Sequence, residues 1–207
     1  MNMMDECVDH SKIEDHPLQP FLPTNAKMLM LGSFPPKQIR WKMDFYYPNF
    51  QNDMWRIFGL VFFNDREHFL LTDLKSFDKN KIVEFLQDKG IALYDTATRI
   101  VRLKDNASDK FLHVVDVINL SEILEKLPDC ETIVTTGQKA TDILTSLIEV
   151  VEPRVGESSD FVFRGRKMRF YRMPSTSRAY PKAITEKADI YRRMFMDSEV
   201  LKIERQL

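Results

Sequence analysis

Short apolar runs alternate with longer segments of helical periodicity along this chain. Four runs have the length and the turn-forming flanks of strands that are buried on both faces of a parallel sheet: 28–31, 91–94, 132–135 and 168–173. Apolar residues recur at helical spacing in the segments between and after them: 54–62, 64–90, 119–127, 138–148 and 184–203. This alternation predicts a three-layer α/β/α fold around a central four-stranded parallel sheet with right-handed crossovers.

The remaining segments are polar or rich in turn residues. Residues 1–18 carry mixed charge, and we expect them to form a flexible N-terminal arm. The sequence predicts a polar connection over 99–109 and a hairpin or irregular excursion over 151–167. A chain of 207 residues is long enough for one well-buried core and short for two, so we expect residues 19–207 to form a single domain.

Residues that can carry chemistry follow each predicted strand. GSFPP begins at Gly32 after the first strand, Asp95 follows the second, and TTG and MPSTSR follow the third and fourth. The carboxyl ends of parallel strands meet at one edge of a sheet, where open α/β sheets bind ligands. Gly32 lets the backbone approach a ligand, and the two prolines of GSFPP stiffen the loop. The sequence therefore predicts an active site at this edge.

The segment after the first strand adds aromatic rings and amides to this edge. It contains Tyr46, Tyr47, Asn49 and Asn52 within eight residues of one another. Flat stacking faces and neutral hydrogen-bonding groups suit a heteroaromatic base better than a phosphate.

Composition narrows the choice of cofactors and partners. Lys and Arg number 30 against 31 acidic residues, so a basic surface requires local clustering of charge. Cys7 and Cys130 cannot build a disulfide framework, and no Cys/His cluster has zinc or iron–sulfur spacing, so no metal or other cofactor is expected. The start lacks the features of a signal peptide, and no run of about 18 apolar residues occurs. We therefore expect a soluble, cytoplasmic protein with no membrane partner.

Five short motifs occur in a fixed order between residues 17 and 180: LMLGSFPP, YYPNFQNDMW, GIALYDT, IVTTGQKA and MPSTSRA. Together they resemble motifs of the uracil-DNA glycosylase superfamily. The resemblance is greatest to its hypoxanthine-DNA (deoxyinosine) glycosylase branch, which has LILGSMPG, YYGHPRNQFW, GVALWDV, the superfamily's strand followed by NG-x-x-A, and LPSTSPA. Each motif alone is weakly specific, but five in order form a specific signal.

The resemblance implies a monofunctional DNA glycosylase of base excision repair. Such an enzyme flips a deaminated base, here hypoxanthine or uracil, out of DNA and hydrolyses its N-glycosidic bond without a metal. It implies a monomer whose partner is DNA that contains a deaminated base.

The sequence departs from the superfamily at several motif positions. Phe34 stands where mismatch-type uracil glycosylases carry a water-positioning asparagine, so Asn52, which matches the asparagine of PRN-x-FW, is the first candidate for that role and Asn49 the reserve. Asp95 is the only motif carboxylate that is well placed to assist water or to stabilise the sugar cation. Thr136 replaces the asparagine that usually precedes Gly137. Pro36 replaces a glycine of the hypoxanthine branch, and Arg178 replaces a proline. We expect both replacements to change the contact with DNA.

The candidate site thus has three groups of residues. The catalytic candidates are Asn52 and Asp95. The candidates for the base pocket, with Tyr46 or Tyr47 stacking on the base, are Gly32, Ser33, Phe34, Tyr46, Tyr47, Asn49 and Thr136. The candidates for DNA contact are Pro35, Gly137, Lys139, Pro174, Ser175, Thr176, Ser177 and Arg178, and the basic residues that could extend this surface are Lys37, Arg40, Lys42, Arg166, Lys167 and Lys182.

Simpler roles compete with these assignments. Asn52 is also suited to be the N-cap of the next helix, and Asp95 can be a cap or turn residue. Tyr46 and Tyr47 can serve ordinary packing. The histidines, including His16, can be surface residues or core residues. Two other functions stay open: a glycosylase-like module that binds DNA or modified nucleotides without cutting, and an enzyme acting on free nucleosides or another small substrate.

Overall fold

The architecture is built on a strand that is buried along its whole length. The computed structural model describes residues 12–103 and 109–201. Within it, β2 (Met28–Gly32) is buried at every position and pairs in parallel with β5 (Ile91–Asp95) on one side and β8 (Thr132–Thr136) on the other. The predicted apolar runs therefore form the centre of the sheet.

The central sheet has the order β5-β2-β8-β10-β9. Its first four strands are parallel, as predicted, with β10 at Arg166–Met173. The prediction of four strands was too low, because β9 (Ser158–Phe163) adds an antiparallel edge strand through the β9–β10 hairpin. The hairpin lies within the segment for which a hairpin or an irregular excursion was expected.

Within the described residues, five α-helices cover the two faces of this sheet: α1 (Met54–Phe63), α2 (Lys79–Lys89), α3 (Leu120–Glu125), α4 (Gln138–Leu147) and α5 (Ile184–Asp197). Alternate residues of β2 point to opposite faces. Met28 and Met30 pack in one core with α1, α2 and α5, whereas Leu29 and Leu31 pack in the other with α3 and α4. This division gives the three-layer arrangement.

The helix expected within 64–90 is shorter than its pattern. Only α2, with Gly90 at its C-terminus, is α-helical there, because Leu70–Leu71 (β3) and Ser76–Phe77 (β4) form a two-stranded ribbon before it. The apolar residues of this ribbon happen to recur at helical spacing. The last helix likewise ends at Asp197, and residues 202–207 lie outside the described residues.

A second, antiparallel sheet was not predicted. It has the order β1-β6-β7, with β1 at Ile13–Asp15, β6 at Ala97–Arg102 and β7 at Leu112–Val117. The first half of the predicted polar connection is therefore strand β6, and residues 104–108 lie outside the described residues. The expectation of a flexible arm is wrong for residues 13–15, which pair with β6. Residues 1–11, with Cys7 and His10, lie outside the described residues.

Gly90 provides a test of how α2 is joined to β5. Its φ is +63°, and a Cβ added to it would lie 2.7 Å from the carbonyl oxygen of Asn25. Gly165, in the β9–β10 turn, has a φ of +81° but no atom within 4 Å of such a Cβ. We expect Gly165→Ala to lower the free energy of unfolding by about 1–2 kcal/mol, the cost of a left-handed backbone.

Gly90→Ala has the same cost of a left-handed backbone and a steric conflict as well. We expect Gly90→Ala to lower the free energy of unfolding by at least about 1 kcal/mol more than Gly165→Ala, within the range for overpacking. Urea denaturation of the two variants and the unmodified protein measures both values. Equal losses would show that the approach to Asn25 relaxes without cost.

Candidate active site at the carboxyl edge of the sheet

A cleft of about 710 Å³ opens at the carboxyl edge of the parallel strands. The ends of β2, β5 and β8 contribute to its lining, together with the loop after β2, the segment before α1 and the loop after β10. The predicted site residues that line it are Gly32, Ser33, Phe34, Pro35, Tyr46, Tyr47, Asn49, Asn52, Asp95, Thr136, Ser175, Thr176, Ser177 and Arg178. Three predicted DNA contacts, Gly137, Lys139 and Pro174, are not among the described residues that line it.

Asp95 and Gly32 form the centre of this lining. The register of β2 and β5 places them side by side. An ideal Cβ on Gly32 would lie 2.2 Å from Asp95 Oδ1 and 3.5 Å from Tyr47 Oη, and the first distance is far too short for a real side chain. The absence of a side chain at position 32 is therefore what lets the carboxylate lie across the end of β2.

The other oxygen of Asp95 contacts a residue that was not a site candidate. His16 Nε2 lies 2.9 Å from Asp95 Oδ2, and the two side chains are only 3 % and 8 % exposed. His16 follows β1 and comes from the segment expected to be a flexible arm. Since its partner lies 79 residues away in the chain and it belongs to no motif, the sequence held no signal for this contact.

Asp109 is a second carboxyl group in the cleft lining. Burial raises its pKa, a hydrogen bond with Ser33 lowers it, and the charge of Asp95 raises it, with a net shift upward. Asp109 lies at the end of the predicted polar connection over 99–109, and it too was missed as a site residue. A polar connection without regular periodicity gives no indication of where its carboxylate will lie.

The two adjacent tyrosines have different environments. Tyr46 is only 2 % exposed and donates its hydroxyl hydrogen to the carbonyl of Gln19 at 2.8 Å, which is the packing role that competed with stacking. Tyr47 is half-buried, and its hydroxyl lies 2.8 Å from Thr136 Oγ1. Its backbone φ of +51° is in the left-handed region, which is uncommon for a residue other than glycine. Tyr47 is thus held in the cleft lining by its hydroxyl pair with Thr136.

Asn52 is held at the start of α1. Its Oδ1 accepts a hydrogen bond of 2.8 Å from the backbone N–H of Met54, the first residue of α1, but the N-cap position itself is Asp53. The buried guanidinium of Arg56 donates to the carbonyls of Phe50 and Asn52 at 2.8 and 2.9 Å, and burial lowers its pKa to about 10. Because Oδ1 is engaged, the hydrogens on Nδ2 are the donors that Asn52 offers to a ligand.

An ionic cluster joins the loop after β10 to this segment. Asp53 accepts a hydrogen bond of 3.0 Å from Arg178 Nε, and Lys187 Nζ lies 3.8 Å from its other oxygen. Lys187 is only 1 % exposed and also donates to the carbonyl of Ser177 at 2.8 Å. Arg178, predicted to contact DNA, therefore lies at the rim in an ion pair with Asp53.

The candidate basic residues do not all lie near the cleft. Arg40 and Arg178 line it, as does Arg102, which the sequence did not single out. Arg166 instead donates to the carbonyls of Leu127 and Cys130, near the amino end of β8 and the opposite edge of the sheet. Only part of the expected basic stripe is therefore found at the site.

Residues 12–103 and 109–201 contain no group of three or more His, Cys, Asp or Glu side chains arranged to hold a metal ion. In the same ranges, no helix combines the length and apolar character needed to cross a bilayer.

The fold and the cleft define an α/β/α protein with a cleft at the carboxyl edge of its sheet, where open α/β sheets bind ligands. The chain is similar in structure to a putative uracil DNA glycosylase from Methanosarcina acetivorans, solved by solution NMR, with a TM-score of 0.58. The two share 22 % sequence identity over 88 % of this chain and 98 % of that chain, so the likeness shows a common fold. No protein-family model and no curated protein matches the sequence.

The raised pKa of Asp109 predicts how stability depends on pH. The folded protein holds this proton more tightly than the unfolded chain, whose carboxyl pKa is 3.8. Stability therefore falls as pH rises through the interval between the two values. Asp109→Asn removes this effect, so we expect its stability advantage over the unmodified protein to grow between about pH 4 and about pH 8 in urea denaturation.

Asp160 supplies a control of opposite sign. A hydrogen bond from Arg169 lowers its pKa, so its carboxylate stabilises the fold at higher pH and that contribution is lost on acidification. Asp160→Asn should therefore lose stability relative to the unmodified protein as pH rises. If Asp109→Asn followed the same trend as Asp160→Asn, the burial of Asp109 would not control its titration.

Proposed function

We propose that this protein is a DNA glycosylase of the uracil-DNA glycosylase superfamily that excises a deaminated base, hypoxanthine or uracil, from DNA. The observation that carries the proposal is the convergence of all five superfamily-like motifs on one cleft, with the Asp95 carboxylate beside Gly32. The likeness in fold to a putative uracil DNA glycosylase supports the same class. A volume of about 710 Å³ accommodates a flipped nucleotide.

The reaction requires charge stabilisation on both sides of the bond that breaks. As the N-glycosidic bond lengthens, the electron pair leaves with the base and positive charge develops on the sugar. Asp95 is suited to stabilise that cation and to accept a proton as water adds to the anomeric carbon. The departing base takes up a proton, and donors aimed at it lower the barrier because charge develops there.

The pocket walls fit a planar base. The rings of Phe34 and Tyr47 line the cleft, and Ser33 and Thr136 add hydroxyl groups to the same lining. Asn52 contributes its Nδ2 hydrogens to a ligand or to water, which keeps it as the first candidate for water positioning. Stacking and edge contacts of this kind offset the few kcal/mol that base flipping costs.

The rim of the cleft is suited to a phosphate backbone. Ser175 and Ser177 offer hydroxyl donors, and the guanidinium groups of Arg40 and Arg178 lie in the lining. Contacts of this type position a nucleic acid without reading its sequence. Binding of DNA by this surface would weaken with added salt.

One observation favours a second function, that of a binding module that does not cut. Phe34 is 7 % exposed and fills the motif position where related enzymes place a water-positioning amide. A phenylalanine there cannot hold the nucleophile. The binding module keeps the pocket and the rim but has no hydrolytic step.

An excision assay tests the proposal. Purified protein without added metal is incubated with oligonucleotides that carry one deoxyinosine, deoxyuridine or deoxyxanthosine, and abasic sites are then cleaved with alkali. We expect cleavage at one of these bases, and a loss of about 10²–10⁴-fold in rate for Asp95→Ala, the contribution typical of a general base. For Asn52→Ala we expect a loss of about 10²–10³-fold, as for removal of one preorganised donor.

Asn25→Ala is the matched control for the asparagine variant. Asn25 also uses its amide within the fold, donating to the carbonyl of Gln87, but it precedes β2 at the opposite edge of the sheet. Its activity should equal that of the unmodified protein. Salt-dependent DNA binding without cleavage would favour the binding module, and the absence of both would favour an enzyme with a small substrate.

A further inference from the structure

The N-terminal strand reaches the candidate active site through a single buried side chain. His16 Nε2 lies 2.9 Å from Asp95 Oδ2, and this contact joins the antiparallel sheet to the parallel sheet. The excision chemistry described above assigns no role to His16. A buried polar contact with the central carboxylate of a cleft suggests a role in positioning that carboxylate.

The backbone of the N-terminal strand fixes where the His16 ring lies. Asp15 pairs with Arg99 in the β1–β6 ladder, and the N–H of His16 donates to the carbonyl of Thr98 at 2.8 Å. The ring packs edge to face with Phe34, with 5.2 Å between centroids, and its centroid lies 4.9 Å from that of Tyr94. Because its backbone is hydrogen-bonded and its ring packs against two other rings, the imidazole has little freedom to leave Asp95.

The second ring nitrogen is also engaged. His16 Nδ1 lies 3.2 Å from the backbone nitrogen of Leu18 and 2.8 Å from its carbonyl oxygen. An ionised carboxylate only accepts hydrogen bonds, so the contact with Asp95 requires a hydrogen on Nε2. With that hydrogen in place, Nδ1 accepts the N–H of Leu18 in a neutral ring and donates to the Leu18 carbonyl in a protonated ring.

A second link runs from the same strand to the loop after β2. Glu14 lies 2.9 Å from Arg102 Nε, and Arg102 donates from its NH2 group to the carbonyl of Pro35 at 2.7 Å. The guanidinium carbon of Arg102 also lies 5.5 Å from the centre of the Phe34 ring. Strand β1 thus holds both the carboxylate and the proline loop that borders it.

We infer that His16, which directly follows β1, is a positioning residue for Asp95. The inference rests on the proposed glycosylase function. The hydrogen bond to Oδ2 stops the carboxylate from rotating and leaves Oδ1, which lies over Gly32, as the oxygen that faces the substrate. A preorganised carboxylate loses less conformational entropy when it contacts the sugar cation or the attacking water.

Two variants at position 16 test this role. His16→Phe keeps an aromatic ring against Phe34 and Tyr94 but removes the donor, whereas His16→Gln keeps an N–H donor. We expect His16→Phe to lower the single-turnover excision rate by about 10–100-fold, less than the roughly 10²–10⁴-fold effect of losing a general base. KM should be unchanged, and His16→Gln should recover part of the rate.

Asp15→Asn is the matched control on the same strand. Asp15 makes an ion pair with Arg99 at the surface, 3.3 Å apart, and does not line the cleft. Its variant should excise at the unmodified rate. Equal losses in all three variants would trace the effect to the pairing of β1 and overturn the inference, as would full activity in His16→Phe.

A double-variant cycle separates positioning from general support of the fold. If His16 acts only through Asp95, His16→Phe adds no further loss of rate to Asp95→Ala. Losses that multiply would show that His16 acts independently of Asp95 and would overturn the inference.

A measurement without substrate distinguishes failure of this inference from failure of the proposed function. In ¹⁵N-imidazole NMR, the Nε2–H signal of His16 should exchange slowly with solvent in the unmodified protein and become fast or shift in Asp95→Ala. If no base is excised, the proposed function fails, and this change alone still supports the pairing in whatever reaction the cleft performs. An identical signal in both proteins would overturn the inference.

Discussion

The register between β2 and β5 is the constraint on which the site depends. It sets Gly32 beside Asp95, and the carboxylate occupies the space that a side chain at position 32 would need. A one-residue slip would exchange the side chains that face the two cores and would move Gly32 away from Asp95. The close packing of Met28 and Met30 in one core and of Leu29 and Leu31 in the other therefore also determines where the Asp95 carboxylate lies.

The antiparallel sheet adds a second layer of control to this edge. Its strand β1 contributes the hydrogen bond from His16 to Asp95 and, through Glu14, the ion pair that holds Arg102 against the carbonyl of Pro35. Across the cleft, Asp53, Arg178 and Lys187 join the loop after β10 to the start of α1. Both walls are thus held by buried or partly buried charge pairs, which restrict the loops before any ligand arrives.

Sequence patterns predicted the parallel strands because these are continuous buried apolar runs, and most helices because their apolar residues are periodic. The strands β1, β6 and β7 were missed because they are partly exposed and interrupted by polar residues, which gives a pattern close to that of a loop. The same difference applies to the site. Residues at strand ends, such as Asp95, could be placed together from the topology of a parallel sheet, whereas His16 and Asp109 reach the cleft from segments without a regular pattern.

Phe34, which stands at the motif position of a water-positioning asparagine, packs against His16, the residue that follows the unpredicted strand β1. The Phe34 ring packs edge to face with that of His16, with 5.2 Å between centroids, and lies 5.5 Å from the guanidinium carbon of Arg102. An asparagine at this position would remove the apolar surface against which the imidazole packs. The phenylalanine therefore supports His16, and through it Asp95. In this chain the orientation of the carboxylate depends on β5 and on the residues that directly follow β1 and β2, so the loss of one polar group in a motif does not by itself decide whether the cleft is catalytic.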